Sequence, residues 1–385
     1  MNDITIDKTG WKKWRFDEVC RQVNASTKDP EADGLHYVIG LEHIEPGNLH
    51  ITKWDTLEKE TTFTRKFVKG QVLFGRRRAY QRKVAYAEFD GICSGDILVF
   101  EAVEENLLPE LLPFLIQSDG FFEKALATSA GSLSPRTKFK ELADYEFFLP
   151  PKSEQKRLAE LLWAADEMIE KEKKELEKIN EFKKYFISSN LLNGNKCISL
   201  KDLGTLIRGV SYKPEQVREK YDSDAFILLR SNNIDSNFRV NYNEVYYIDS
   251  VILKEDQNLC LNDIVICMSN GSKDLVGKAA EITSLNKERI SVGSFCAIYR
   301  PNNAIAKYLF QSSEYRKQIA LLLSGSNINN LKPADIESVK FRIQEREDLK
   351  EFILYLEHID KTTGKIFLQL RASQQFKQEL INKIF

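Results

Sequence analysis

Residues 153–190 read SEQKRLAELLWAADEMIEKEKKELEKINEFKKYFISSN, a run dense in Glu, Lys and Leu that contains neither proline nor glycine. Apolar side chains recur at Leu158, Leu162, Ala165 and Ile169, then at Leu176, Ile179 and Phe186, with Glu172 interrupting the series. A 3–4 spacing on an otherwise charged helix is a coiled-coil seam. Pro150-Pro151 stops whatever precedes the helix, Ser153 is its expected cap, and Gly194 punctuates its end. At 1.5 Å per residue, about 38 residues make a rod roughly 57 Å long.

The seam occurs twice. Phe352, Leu356, Ile359, Thr363, Ile366, Leu370, Ser373 and Leu380 repeat the spacing near the C-terminus. Elsewhere the second half echoes the first at a nearly fixed offset of 194 residues. Leu115-Ile116-Gln117-Ser118 returns as Leu309-Phe310-Gln311-Ser312, Phe121 as Tyr315, Gly131-Ser132 as Gly325-Ser326, Phe182-Lys183 as Phe376-Lys377, and Ile187 as Ile381. Upstream the match loosens, setting Tyr37–Ile44 against Ile227–Ile234. Ordered matches at one offset mark a duplication.

Each copy opens with a mixed body. Short β-branched and aromatic runs such as QVLFG, KVAYAEF, DILVF, DIVICM and SFCAIY, bounded by Gly, Asp, Asn or Ser, predict strands. A helical stretch follows in each, Pro109 to about Ala127 and Ile305 to about Leu323. The expected fold is α+β: two tandem mixed bodies, 1–150 and 194–343, each followed by a long helix, 151–193 and 344–385. If a pseudo-two-fold relates the copies, the helices pack as an antiparallel coiled coil and each buries the other's stripe. Two independent domains on a solvated helix would leave these apolar seams wet.

Composition limits the function. Among 385 residues, 56 Lys and Arg balance 57 Asp and Glu for a net charge of -1, which excludes a polybasic protein but not a local basic face. The start MNDITIDKTGWKKW has no apolar core, and LLPELLPFLI is broken by Pro and Glu, so secretion and membrane spanning are not expected. Cysteines at 20, 93, 197, 260, 267 and 296 form no CxxC pair and suit free thiols in a reducing cytoplasm. GSKDLVGKA (271–279) is not a phosphate loop: five residues separate its glycines and Ala279 stands where Ser or Thr would hold magnesium. His36, His43 and His50 lie seven apart in strand-like sequence without a ligand motif. No catalytic constellation and no metal site is expected.

Binding signals are stronger. From Arg65 to Lys83 there are eight basic residues and no acidic one. Its centre, GRRRAYQRK, lies between two strand-like runs, so Arg76, Arg77, Arg78, Tyr80, Arg82 and Lys83 are placed on a loop. Such a loop combines phosphate neutralisation with base-edge donors and acceptors. A second patch adds Ser132, Ser134, Arg136 and Lys138. In the second body the equivalent places hold Asn270 and Lys273, then Asn327, Asn329 and Lys332, and a further group Arg230, Asn232 and Asn233. A shared framework with divergent polar loops suggests two readers of double-stranded DNA tuned to different sequences, a helical turn or more apart. A non-catalytic coiled-coil scaffold with inert loops is the alternative. It would show no salt-dependent retention on DNA.

Over nearly its whole length the chain resembles the DNA-specificity (S) subunits of type I restriction-modification systems. The resemblance is carried by GQVLFGRRRAYQRKVA (70–85), GICSGDILV (91–99), LLPFLIQSDGFF (111–122), TSAGSLSPRTKFKELA (128–143) and FFLPPKSEQKRLAELL (147–162). The last has a weaker echo from Phe341 to Phe352. It implies two target-recognition domains that read an asymmetric bipartite site, one half each, across a gap set by the helices. It also implies a cytoplasmic phage-defence role without catalysis by this chain. Two modification subunits would methylate adenine with S-adenosylmethionine, and restriction subunits would use ATP and Mg. The second body departs from the pattern in lacking a GRRRAY-type loop.

Overall fold

The computed structural model describes residues 6–59, 61–131, 134–235, 237–285, 288–324 and 329–385. The chain divides into two compact units, Met1–Lys173 with Phe367–Phe385, and Lys174–Ile366. Each unit therefore joins one body to half of each long helix.

The bodies share one plan. In the first, Lys12–Arg15 pairs antiparallel with Glu146–Leu149. A four-stranded sheet runs in the order Cys20–Val23, Ile97–Ala102, Val72–Gly75, Val84–Tyr86. A second sheet orders Asp55–Thr56, Tyr37–Ile39, Gly91–Cys93, Arg65–Phe67, with Tyr37–Ile39 parallel to Gly91–Cys93. In the second body Leu192–Ser199 pairs with Lys340–Ile343, and Gly204–Arg208, Cys296–Pro301, Ile264–Cys267, Ala279–Glu281 repeat the first sheet. Its other sheet keeps the parallel pair, Ala225–Leu229 with Ile290–Val292. The outer strand differs: Val217–Arg218 flanks Tyr246–Asp249 instead of a strand beyond the parallel pair. The duplication legible in sequence is thus present in every strand but that outer one.

Each expected mid-body helix is broken in two. Leu112–Gln117 and Asp119–Ala127 meet at Ser118, whose hydroxyl accepts from the Phe121 N–H. Ile305–Phe310 and Ser313–Ser324 meet at Ser312, which accepts from Tyr315 N–H in the same way. A serine that caps the second helix satisfies one of its orphan donors and fixes the break.

The long helices run Lys152–Leu191 and Leu349–Ile384. The first starts one residue before the expected cap Ser153. Pro151 C=O receives Glu154 and Gln155 N–H, and the buried Gln155 amide donates to Asn106 and Pro150 carbonyls. After Leu191 the chain turns directly into a strand, where a Cβ on Gly194 would lie 2.0 Å from Ile343 O. Only glycine permits that approach.

The seam residues pack as the spacing predicts. Leu158, Leu162, Ile169, Leu176, Phe352, Leu356, Ile359, Leu370 and Leu380 are buried, and Ala165, Ile179, Phe186 and Ile366 are half-buried. In the first unit Asp166 contacts Lys377 while Glu172 accepts from Gln369 and Ser373. In the second, Lys183 contacts Asp360 while Phe186 stacks on Phe352. Partner numbers fall as the first helix's numbers rise, so the packing is antiparallel. Asp166 and Asp360 are 194 apart, as are Lys183 and Lys377. The same buried acid–base pair therefore occurs once in each unit, with the helices that supply the acid and the base exchanged.

Around the first pair the charges are closed off by the body. His50 Nε2 lies 2.9 Å from Asp166 and its Nδ1 2.9 Å from Glu88. Both ring nitrogens face carboxylates, so the imidazolium is the favoured form. The hydrogen bond to Asp166 raises its pKa from 6.5 to about 9, against the opposing effect of burial. Burial alone would raise the Asp166 carboxyl, but His50 and Lys377 hold it below its ordinary value. Because the folded histidine binds its proton more tightly than the unfolded one, its contribution is whole below pH 6.5. It is lost as pH rises through about 9. We expect roughly 2–3 kcal/mol to disappear from the first unit across that window. All four tryptophans, Trp11, Trp14, Trp54 and Trp163, lie in this unit, so urea melts followed by their fluorescence report on it alone. His50→Gln should flatten the dependence; an unchanged slope would refute the assignment.

Candidate nucleic-acid interface

Strand Val72–Gly75 delivers the chain into the arginine loop. Arg76 N–H donates to Asp96 O at 3.0 Å, Arg76 O accepts from Thr137 at 3.1 Å, and Arg78 N–H donates to Pro135 O at 2.9 Å. Arg77 and Arg136 form a β-bridge. The two basic patches of the first body are therefore one surface, stitched by main-chain bonds. Arg78 and Arg82 adopt left-handed conformations, φ 55° and 52°, on either side of a short turn Ala79–Gln81. Non-glycine residues there carry strain. The turn leaves Arg78 exposed and Tyr80 58% exposed.

Asp96 organises the cations. It takes a two-point contact from Arg136, at 2.6 and 3.1 Å, and lies 3.5 Å from Arg77. The hydrogen bond from Arg136 holds its carboxyl below the usual range. Arg77 Nε also donates to Ser134 Oγ at 2.5 Å. Burial and neighbouring Arg65 lower the Arg76 pKa, and its Nε is buried without an acceptor among the described residues. One carboxylate among Arg76, Arg77 and Arg136 leaves a net positive surface of fixed guanidinium orientation, suited to phosphate and base-edge acceptors.

The other predicted contacts of this body divide. Lys138 is exposed. Arg82 turns inward: its guanidinium donates to Gln117 O and Asp119 and lies 4.5 Å over the Phe122 ring. Lys83 Nζ donates to Leu41 O at 2.6 Å. These two brace the loop from beneath. Ser132 lies outside the described residues.

The second body uses the same frame. Met268 and Ser269 N–H both donate to Phe295 O, at 2.8 and 3.1 Å, Met268 O accepts from Leu331, and Ser269 bridges Asn330. Several expected readers are spent within it. Asn233, only 2% exposed, donates to the carbonyls of Asn241 and Glu244 and accepts from Arg230 N–H. It is a brace of the loop, not an exposed reader. Asn270 donates to Ser231 Oγ and accepts from Ser272; Asn329 donates to Gly271 O. The Arg230 guanidinium lies 3.9 Å over Tyr246. Asn232, Lys273 and Lys332 remain exposed, and Asn327 lies outside the described residues.

Asp96 and Phe295 escaped the sequence reading. The only signal was the alignment of Ser94-Gly95-Asp96-Ile97 with Gly293-Ser294-Phe295-Cys296, each preceding an equivalent strand. Glu42, His43 and Asp55 bring possible metal ligands within 4.8 Å of one another. Yet His43 Nδ1 accepts from Gly40 N–H, and Asp55 is paired with Lys59 at 2.7 Å. All six cysteines are free. Among the described residues no helix is long and apolar enough to cross a membrane.

Residues 8–181 match the family described as type I restriction modification DNA specificity domain. The chain is 32% identical over 189 residues to the type I restriction enzyme StySPI specificity subunit of Salmonella potsdam, covering 46% of this chain and 39% of that protein. It is 34% identical over 185 residues, with the same coverage, to the EcoKI specificity subunit of Escherichia coli (strain K12). The matched region thus spans about two-fifths of these relatives' length. The crystal structure of a type I restriction-modification system S subunit from M. genitalium shares the fold, with TM-score 0.51, 15% identity, and coverage of 98% of this chain and 96% of that one.

Proposed function

We propose that this chain, whose residues 8–181 match the family described as type I restriction modification DNA specificity domain, reads a bipartite double-stranded DNA site, one half per body. The observation that carries this reading is a single surface built twice. A strand-end loop is bridged to a second polar segment through equivalent main-chain bonds, at Arg77–Arg136 and at Ser269–Asn330, with side chains that differ. Repeating a frame while varying what it displays is what two half-sites of different sequence require. The chain acts without catalysis of its own, in the cytoplasm. Two modification subunits methylate adenine with S-adenosylmethionine, and restriction subunits supply ATP- and Mg-dependent cleavage. Phosphate contacts from Arg78, Lys138, Lys273 and Lys332 surround base contacts from Arg77, Arg136 and Asn232.

The test is co-expression with its modification subunit, followed by mapping of methylated adenines across the genome. One motif of two short halves at a constant gap is the expected outcome. Purified complex should also bind cognate duplex with an affinity that falls steeply with salt, since each phosphate contact releases counterions. Methylation without a motif, or binding indifferent to salt, would contradict the reading and favour a protein scaffold.

A further inference from the structure

The first residue before strand Ile97–Ala102 is Asp96; the first before Cys296–Pro301 is Phe295. Both place their carbonyl under the opening residue of the loop, accepting from Arg76 and Met268 respectively. They occupy one position of a common frame. In the first body that position carries the carboxylate that holds Arg77 and Arg136. In the second, the residues bridged as Arg77 and Arg136 are in the first are Ser269 and Asn330, which have no charge to organise. The position carries instead a phenyl ring left 68% exposed.

An exposed phenyl group whose main chain is bonded to a polar loop gains from being covered. Asn232, Lys273 and Lys332 are exposed on the same loops, so the surround suits a polar, anionic partner with an apolar spot. In the major groove only thymine offers one, its C5-methyl group. We infer that Phe295 is a specificity-determining residue of the second body, its ring packing on a thymine methyl in the second half-site. This rests on the DNA-reading function proposed above. The two bodies then differ in kind at one position: a carboxylate orients arginines in the first, and a ring makes the contact itself in the second.

The experiment uses the full chain in complex with its modification subunits. The wild-type motif is mapped first, and its absence would overturn the DNA-reading function and this inference with it. Given a motif, duplexes are made in which each thymine of the second half-site is replaced singly by deoxyuridine, which lacks only the methyl. One replacement should weaken wild-type binding about tenfold. Phe295→Ala should lose about as much on the natural duplex and be indifferent to that replacement, while Phe295→Leu keeps part of the preference. The first half-site should be read unchanged by both variants. If no deoxyuridine position discriminates, or if Phe295→Ala keeps the wild-type thymine preference, the inference fails while the mapped motif still stands.

Discussion

Asp166→Leu should lower the stability of the first unit by about 3–5 kcal/mol, more than a typical core truncation. The carboxylate is 2% exposed and lies 2.6 Å from Lys377 and 2.9 Å from His50. Removing it leaves an ammonium in a helix seam with its desolvation cost unmet. His50 keeps Glu88 and can shed its proton, but Lys377 has only the interior around it. The double variant Asp166→Leu/Lys377→Met should therefore recover most of the loss, because an apolar pair of similar volume replaces a buried ion pair at little cost. Urea denaturation followed by tryptophan fluorescence measures both. A single-variant loss under 1 kcal/mol, or a double variant worse than the single, would show that the pair is wet and weak.

Arg77→Ala should have the largest effect on recognition. The side chain is held from two sides, by Ser134 Oγ and Asp96, so its remaining donors point with little freedom. Loss of such a contact costs about 1–3 kcal/mol, a tenfold to hundredfold drop at one base position of the first half-site, with the second half-site intact. Arg82→Ala is the instructive contrast. Its guanidinium is committed to Gln117 O, Asp119 and Phe122, so it should lower stability without relaxing any base preference. Methylome mapping of both variants separates the two roles. Equal loss at both half-sites from Arg77→Ala would contradict the division of labour between the bodies.

The architecture was legible because it is periodic. The seam from Leu158 to Phe186, its second copy and the 194-residue offset are patterns over many residues, and burial follows them closely. Where the pattern faltered, the structure supplies the reason. Glu172 interrupts the seam yet is buried, its carboxylate accepting from Gln369 and Ser373 of the opposite helix. Lys183 and Lys377 were visible as a repeated match, but their burial against Asp360 and Asp166 depends on pairing across about two hundred residues. His50 joins that network only through the tertiary fold, so a single histidine among strands gave no sign of it. The candidate interface was legible as loops and not as roles. GRRRAYQRK is one basic string, yet the turn at Ala79–Gln81 sends Arg82 and Lys83 inward while Arg78 and Tyr80 stay out. Asn233 looked like a reader because asparagine suits adenine. Its loop needs the same amide to close on Asn241 and Glu244. Asp96 and Phe295 are single residues without a pattern, and only the shared frame gives their difference a meaning.

The first unit draws its last pieces from the far end of the chain. Leu380, Ile381 and Ile384 are buried in the core of the first body, and Asn382 bonds to Asp119. On the ribosome, then, the body made first is the one finished last. The second unit, Lys174–Ile366, has all its parts before residues 367–385 emerge. Throughout that interval the first body carries an uncovered apolar helix face, a surface that chaperones bind and proteases find. A chain lacking residues 367–385 would thus forfeit the first body, which carries the arginine loop, and keep the second. Quality control of the nascent protein is in this way tied to completion of the surface on which the first half-site would depend.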